Sequence, residues 1–280
     1  MTPPVQVVHI DGVDVFIEGE GLQTLVMIHG WPDTHHLWDS TVTYLLGAFP
    51  KDLRIVRFTL PGYDMARPPR RLGMQAMTDF FAAVVDTVSP HEPVTLVLHD
   101  WGCVFGYEYM ARHPSRVSRL VGVDIGDHNS GALRRSLSFR QKLGVAGYQI
   151  WLAAAWKIGK SFSASLGNRM ACYMARGMRW RVDPLRMGWQ MGYPYVEQWT
   201  GGGMGPTARV APVCPMLYLY GRRKPFQFQS QEWLDRISAR PGCEVKGFDT
   251  GHWIMQREPA AFNEAIGAWL ARTPAGQAQV

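Results

Sequence analysis

The stretch Val94-Thr95-Leu96-Val97-Leu98-His99-Asp100-Trp101-Gly102-Cys103 decides how this chain is read. Its first five residues are apolar or β-branched and form a run of buried-strand length, and the residues after Asp100 read as the start of a helix. Asp100 therefore falls at a sharp strand-to-helix turn. A carboxylate with an ordinary pKa of about 3.9 is already an anion at neutral pH, whereas a serine hydroxyl at the same turn needs a base before it can attack. An anion placed there suits displacement of a leaving group at sp3 carbon. The plainer alternative is a turn without chemistry, and the rest of the chain decides between the two.

Two further turns complement it. Residues 24–29 read as a strand running into His29-Gly30-Trp31-Pro32-Asp33, whose glycine lets the backbone approach a ligand and whose Trp31 N–H can face it. With the N–H of Trp101 it would make an oxyanion hole, a pair of backbone donors aimed at developing negative charge. Residues 244–248 read as the last strand and lead into Asp249-Thr250-Gly251-His252-Trp253, which puts His252 on a loop at the same sheet edge. A lone histidine is commonly structural. One that follows the final strand, in a chain carrying both other turns, is expected to be catalytic.

Strand-like runs at 5–10, 13–18, 24–29, 54–60, 94–98, 119–124, 216–220 and 244–248 alternate with helical stretches, which predicts a mostly parallel eight-stranded sheet with helices on both faces. An Asp11-Gly12 turn makes an antiparallel hairpin of the first two runs. Between Asp124 and Cys214 no strand pattern appears. Residues 128–205 are read as a helical cap inserted into a core formed by 1–127 and 206–280, lying over the carboxyl ends of the strands where open α/β sheets bind ligands. Met170, Met174 and Met178 repeat every four residues and are assigned to one packed helix face, and Tyr173 likewise to packing. Residues 273–280 read as a frayed tail.

Composition narrows the class. The start, Met1-Thr2-Pro3-Pro4-Val5, has neither a basic nor an apolar leader segment, and no stretch approaches the roughly 18 apolar residues of a membrane span, so a cytoplasmic location is expected. Cys103, Cys172, Cys214 and Cys243 are scattered without metal-ligand or redox spacing and read as free thiols, and no metal or other cofactor is expected. The net charge of +6 concentrates between His128 and Gly205, where basic residues from Arg134 to Arg186, Arg181 among them, are opposed only by Asp183 and Glu197. These charges are interleaved with tryptophans and methionines at helical spacing, without any recognition motif, so a solvated basic face is expected rather than nucleic-acid binding. A monomer or a homodimer is equally compatible with the composition.

The HGWP turn, the HDWG elbow and the late GHW together resemble the epoxide hydrolase and haloalkane dehalogenase branch of the α/β-hydrolases, the elbow being most similar to the epoxide hydrolase version. The resemblance covers nearly the whole chain. It implies the α/β-hydrolase fold and a cofactor-free, two-step reaction in which Asp100 forms an ester with a small apolar epoxide and water activated by His252 cleaves it, with Trp31 and Trp101 as the oxyanion hole. The usual acid of the fold follows the strand at 216–220, but the loop here reads Gly221-Arg222-Arg223-Lys224-Pro225. Some relatives carry the acid one strand earlier, which points to Asp124, with Asp127 and Asp249 as alternatives. Two lid tyrosines donate to the opening ring in the family; Tyr148 and Tyr195 are the candidates, with Tyr193 next. His29, Tyr193 and Trp253 are expected to touch substrate. A halide cradle would place an asparagine where Trp31 stands, so dehalogenation is the rival chemistry, and a non-catalytic ligand-binding protein is the rival of another class. The loop 60–66 and Cys103 depart from the usual small-residue pattern.

Overall fold

The computed structural model describes residues 5–180, 183, 185–200 and 202–275. Arg181 and the last five residues of the expected tail lie outside them. All eight expected strands form: β1 (Gln6–Ile10), β2 (Val13–Glu18), β3 (Gln23–Ile28), β4 (Leu53–Phe58), β5 (Val94–His99), β6 (Val117–Val123), β7 (Met216–Gly221) and β8 (Glu244–Phe248). They make one sheet in the order β1-β2-β4-β3-β5-β6-β7-β8. Strands β1 and β2 pair antiparallel through a turn in which Asp11 and Gly12 both have positive φ, β2 joins β4 antiparallel, and every later pairing is parallel.

Helices cover both faces because alternate strand residues point to opposite sides. Leu25 and Met27 of β3 pack with α1 (Asp39–Ala48) and, from the far end of the chain, with the helices after β8. Val26 and Ile28 pack with α2 (Met74–Val88) and α3 (Trp101–Arg112). Between β6 and β7 the described residues hold no strand: α4 (Gly131–Ser136), α5 (Phe139–Ser161), α6 (Ala164–Gly177) and α7 (Tyr193–Thr200) fill that segment. Helix α5 starts at a capping box, Ser138 with Gln141, and α6 at Ser163. These two helices approach closely at Gly159 and Gly167, where a methyl on Gly167 would sit 2.6 Å from the Gly159 Cα. The chain ends in α8 (Gln231–Ser238), which precedes β8, then α9 (Ile254–Arg257) and α10 (Pro259–Arg272).

The methionine stripe is less uniform than its spacing suggests. Met174 and Met178 pack against the core, Met178 lying just beyond α6. Tyr173 is not buried: it is 68 % exposed, its ring meeting that of the partly exposed Trp151 at 5.8 Å between centroids. The four cysteines are free thiols, three of them buried. No helix among the described residues is long and apolar enough to cross a membrane, and these residues hold no cluster of three potential metal ligands.

Strand order positions the site. The chain moves from β3 outward to β4 on one side, then returns to place β5 and β6 on the other, so a crevice opens between the carboxyl ends of β3 and β5. Ile28 pairs with Leu98, and Leu98 with Gly122, which brings the turns after β3, β5 and β6 level with one another.

Candidate active site

Asp100 stands between β5 and α3 with φ +52° and ψ −122°, a conformation that costs a non-glycine residue about 1–3 kcal/mol. The surroundings hold it there. Gly102 lies two residues on, and a methyl at that position would lie 2.4 Å from the carbonyl oxygen of Ile28, so only glycine lets α3 begin this close to β3. Gly30 is equally confined: its methyl would lie 2.4 Å from both Asp100 Oδ1 and the Trp101 nitrogen. With that methyl absent, the Trp31 N–H donates to Asp100 Oδ1 at 2.7 Å. The Trp31–Pro32 peptide is cis.

The other carboxylate oxygen of Asp100, Oδ2, faces His252 Nε2 at 3.6 Å, an ion-pair separation too long for a hydrogen bond. His252 Nδ1 is hydrogen-bonded to Asp124 Oδ2, which fixes the imidazole's orientation. Asp124 is fully buried at the end of β6, with φ +70°. Its second oxygen accepts from the Gly221 N–H at 2.9 Å and from Lys224 Nζ at 2.6 Å. The other two carboxylates considered from sequence lie elsewhere. Asp127 accepts from the backbone and hydroxyl of Ser230, and Asp249 pairs with Arg223 at the surface. The lysine that replaces the expected acid after β7 thus returns to the site as that acid's partner.

Charge follows from this arrangement. Burial pushes the Asp100 carboxyl up, but the nearby His252 imidazole, His99 and the Trp101 N–H outweigh it and hold Asp100 below the usual carboxylate range. Burial also pushes Asp124 up, and Lys224 and His252 together bring it lower still than an ordinary aspartate. Burial lowers His252, yet Asp124 and Asp100 on its two sides raise it to about 9. Burial draws Lys224 down against the pull of Asp124. Behind this set lies a neutral layer. Burial lowers His99 to about 3, and its ring packs on His252 at 4.5 Å, with Nε2 3.2 Å from the His252 carbonyl. Burial raises Asp33 to about 8 despite its hydrogen bond from Trp253 Nε1 at 3.0 Å. Sequence reasoning missed His99, Asp33 and the Lys224 contact, although all three sit inside or beside the motifs it singled out.

A cavity of about 710 Å³ opens above Asp100, and Trp31, Tyr148, Tyr195, His252 and Trp253 line it. Tyr148 and Tyr195 meet edge to face at 5.9 Å, and the Tyr195 ring leans on both Trp101, at 5.2 Å, and Trp31, at 6.3 Å. Burial raises both phenols, so each keeps its O–H at neutral pH. His29 and Tyr193 do not line this cavity. Both ring nitrogens of His29 are engaged by backbone, Nδ1 with the Gly30 carbonyl and Nε2 as acceptor from the Leu60 N–H at 2.9 Å, so it ties two loops together. Tyr193 is buried against Tyr63 and Gly62. Cys103 is buried under the elbow, its thiol directed to the Val123 carbonyl of β6.

Comparisons with known proteins agree with this architecture. The chain is 39 % identical over 117 residues to "Probable oxidoreductase EphD" of Mycobacterium tuberculosis, a match covering 40 % of this chain and only 19 % of that protein. It is 22 % identical over 248 residues to Epoxide hydrolase B of the same organism, covering 88 % of this chain and 62 % of the relative. In three dimensions it resembles an epoxide hydrolase from Bacillus megaterium, solved with its diol product, with a TM-score of 0.67 at 18 % identity over 95 % of this chain and all of that one; at this identity the likeness is one of fold. The Alpha/beta hydrolase family profile matches residues 25–265, which takes in all three turns that meet at the cavity. The strand order, the elbow after β5 and that match place the chain in the alpha/beta hydrolase family.

Proposed function

We propose that the protein is an epoxide hydrolase, converting an epoxide and water to a vicinal diol without a cofactor. The observation that carries this reading is a carboxylate at the elbow with one oxygen held by the Trp31 N–H and the other turned to His252, in a cavity that two protonated tyrosines also line. Oδ2 of Asp100 attacks a ring carbon, the C–O bond breaks, and the departing oxygen takes a proton from Tyr148 or Tyr195. An alkoxide is a far stronger base than phenolate, so donation favours ring opening. The product is an ester on Asp100.

Esterification removes one of the two negative charges that raise His252, so the imidazolium gives up its proton more readily, returning it to the tyrosinate left by ring opening, and becomes a base. It then takes a proton from water, whose oxygen attacks the Asp100 carboxyl carbon. The N–H groups of Trp31 and Trp101 stabilise the oxyanion. Collapse expels the diol oxygen, which takes the proton from imidazolium, and the carboxyl proton that the attacking water leaves on Asp100 passes to His252, restoring carboxylate and imidazolium.

A single turnover in heavy-oxygen water is expected to leave label in the Asp100 carboxylate, read by peptide mass. Diol formation by Asp100→Ala at the normal rate defeats the proposal. His252→Gln is expected to stall with a mass increase equal to the substrate, and Tyr148→Phe with Tyr195→Phe to form no adduct from epoxides. One observation favours a second reading. The Trp31 indole N–H is buried beside the cavity without an acceptor, a donor suited to a halide leaving group, and chloride release from haloalkanes tests dehalogenation directly. Silence with both substrate classes favours a binding protein.

A further inference from the structure

The mouth of this cavity carries charge that no step above uses. Arg179, just past α6, Arg257 at the end of α9, and Arg223 in the loop after β7 line the same cavity as Asp100 and His252. Arg223 is matched by Asp249, which also lines the mouth, and has Glu258 in range. Lys224 is matched by Asp124. Arg179 and Arg257 form no ion pair with any described residue. Instead, one Arg257 N–H donates to the backbone carbonyl of Arg179 at 2.6 Å, which ties two arginines that line the same cavity to one another.

The backbone is arranged to keep Arg179 there. Its φ is +62°, a region that side chains with a Cβ rarely adopt. The next residue, Trp180, packs at a tilt against Trp253, the residue after His252, with centroids 4.7 Å apart. The left-handed Arg179 closes α6: its N–H donates to the Arg176 carbonyl and the Trp180 N–H to that of Ala175, so the turn that ends the helix fixes where Arg179 leaves it. The same cavity is also lined by apolar side chains, Met178, Phe226, Phe228 and Trp253 among them.

We infer that the natural substrate is an anionic amphiphile: an apolar chain with its reactive group at Asp100 and a carboxylate at the far end, held by Arg179 and Arg257. The epoxide at the reactive end rests on the function proposed above; the carboxylate site does not. Guanidinium forks match a carboxylate in geometry as well as charge.

Octanoate and octanol, neither of which can react, separate the two claims. Titrated against the intact protein by tryptophan fluorescence at low salt, octanoate is expected to bind about tenfold more tightly, the scale that two exposed charge pairs supply. The advantage shrinks as salt is raised. Arg179→Gln combined with Arg257→Gln is expected to remove it; Arg179→Gln alone, whose side chain supports no other described group, is expected to weaken it and guards against a folding defect from the Arg257 change. Equal binding of the two ligands overturns the inference, as does an advantage that survives in a folded double variant. Turnover of a fatty acid bearing a terminal epoxide is then compared with its methyl ester. An octanoate preference without ring opening of either removes the epoxide reading and keeps the anion site; ring opening at equal efficiency for acid and ester removes the anion site and keeps the epoxide reading.

Discussion

Lys224 changes what the loop after β7 contributes to the site: a cation for the acid, in place of the acid itself. Its side chain is 6 % exposed, and removing it leaves the Asp124 carboxylate buried with His252 as its one ionisable neighbour within reach of a hydrogen bond. Breaking a buried pair from one side costs about 3–5 kcal/mol. Lys224→Met is expected to lower the denaturant midpoint accordingly, and adding Asp124→Asn is expected to cost less than the sum of the single changes. A second readout separates positioning from bulk stability. Without the ammonium, Asp124 attracts the imidazolium more strongly, so the proton on His252 is held beyond its present value of about 9. His252 also faces Asp100 and the neutral His99, with the Arg223–Asp249 pair, Arg179 and Arg257 at the mouth, and none of these changes in the variant. The acid limb of the ester-cleavage rate is therefore expected to move to higher pH; a limb that stays in place while stability falls assigns Lys224 a structural role only. The lysine was visible in the sequence as a missing acid. Its contact was not, because the partner lies 100 residues away on another strand.

At the level of elements, strands were the most legible part, because a parallel strand buried on both faces must be a short apolar run bounded by turns. Each expected strand agrees with the observed one to within two residues at either end. Turns could be assigned to the sheet edge that bears the site, but side-chain direction within them could not. His29 and Trp31 share one turn, yet one is tied into the backbone and the other lines the cavity. The helices between β6 and β7 were legible as helices and not in their orientation, since α5 carries aromatic residues on more than one face; Tyr148 reaches the cavity while Trp151, one turn on, is partly exposed. The close contact of the β3 and β5 turns makes its own prediction. Gly30→Ala places a methyl against Asp100 Oδ1 and the Trp101 nitrogen, prising apart the carboxylate and its donors. The expected loss is about 10²–10³ in turnover, comparable to removal of one oxyanion donor, with the fold retained by circular dichroism. Normal turnover would show that the turn has room the packing denies.

Across the whole molecule, buried titratable groups set how stability responds to pH. His29 and His99 are lowered by burial to about 3 and His35 to about 4, so each is neutral when folded and takes up a proton more easily when unfolded. Their contribution is lost as pH falls below 6.5, and Asp100 and Asp124, both held low, add to the loss below 3.8. Two groups act in the opposite sense. Asp33, raised to about 8, and His252, raised to about 9, hold protons in the folded state that the unfolded chain releases, so their contributions are lost as pH rises through 8 and 9. Between 3.8 and 6.5 these three histidines, joined by His128, which burial also lowers, oppose Asp33, and above 6.5 the Asp33 and His252 terms fall together. Thermal unfolding followed across pH is expected to show a maximum near 6.5, and a curve rising steadily to pH 9 contradicts these assignments.

Strand order has a further consequence when the chain is followed in the direction of its synthesis. Asp100, the donors at Trp31 and Trp101, and Asp124 all precede the inserted helices, within the first 124 residues, and only His252 arrives after them, close to the carboxyl terminus. Under the proposed reaction that portion, together with Tyr148 and Tyr195 of the inserted helices, encodes a reagent that can be alkylated once. The last thirty or so residues encode its renewal. A lineage acquiring or losing that terminal loop would pass between a stoichiometric scavenger and a turnover catalyst without altering the nucleophile.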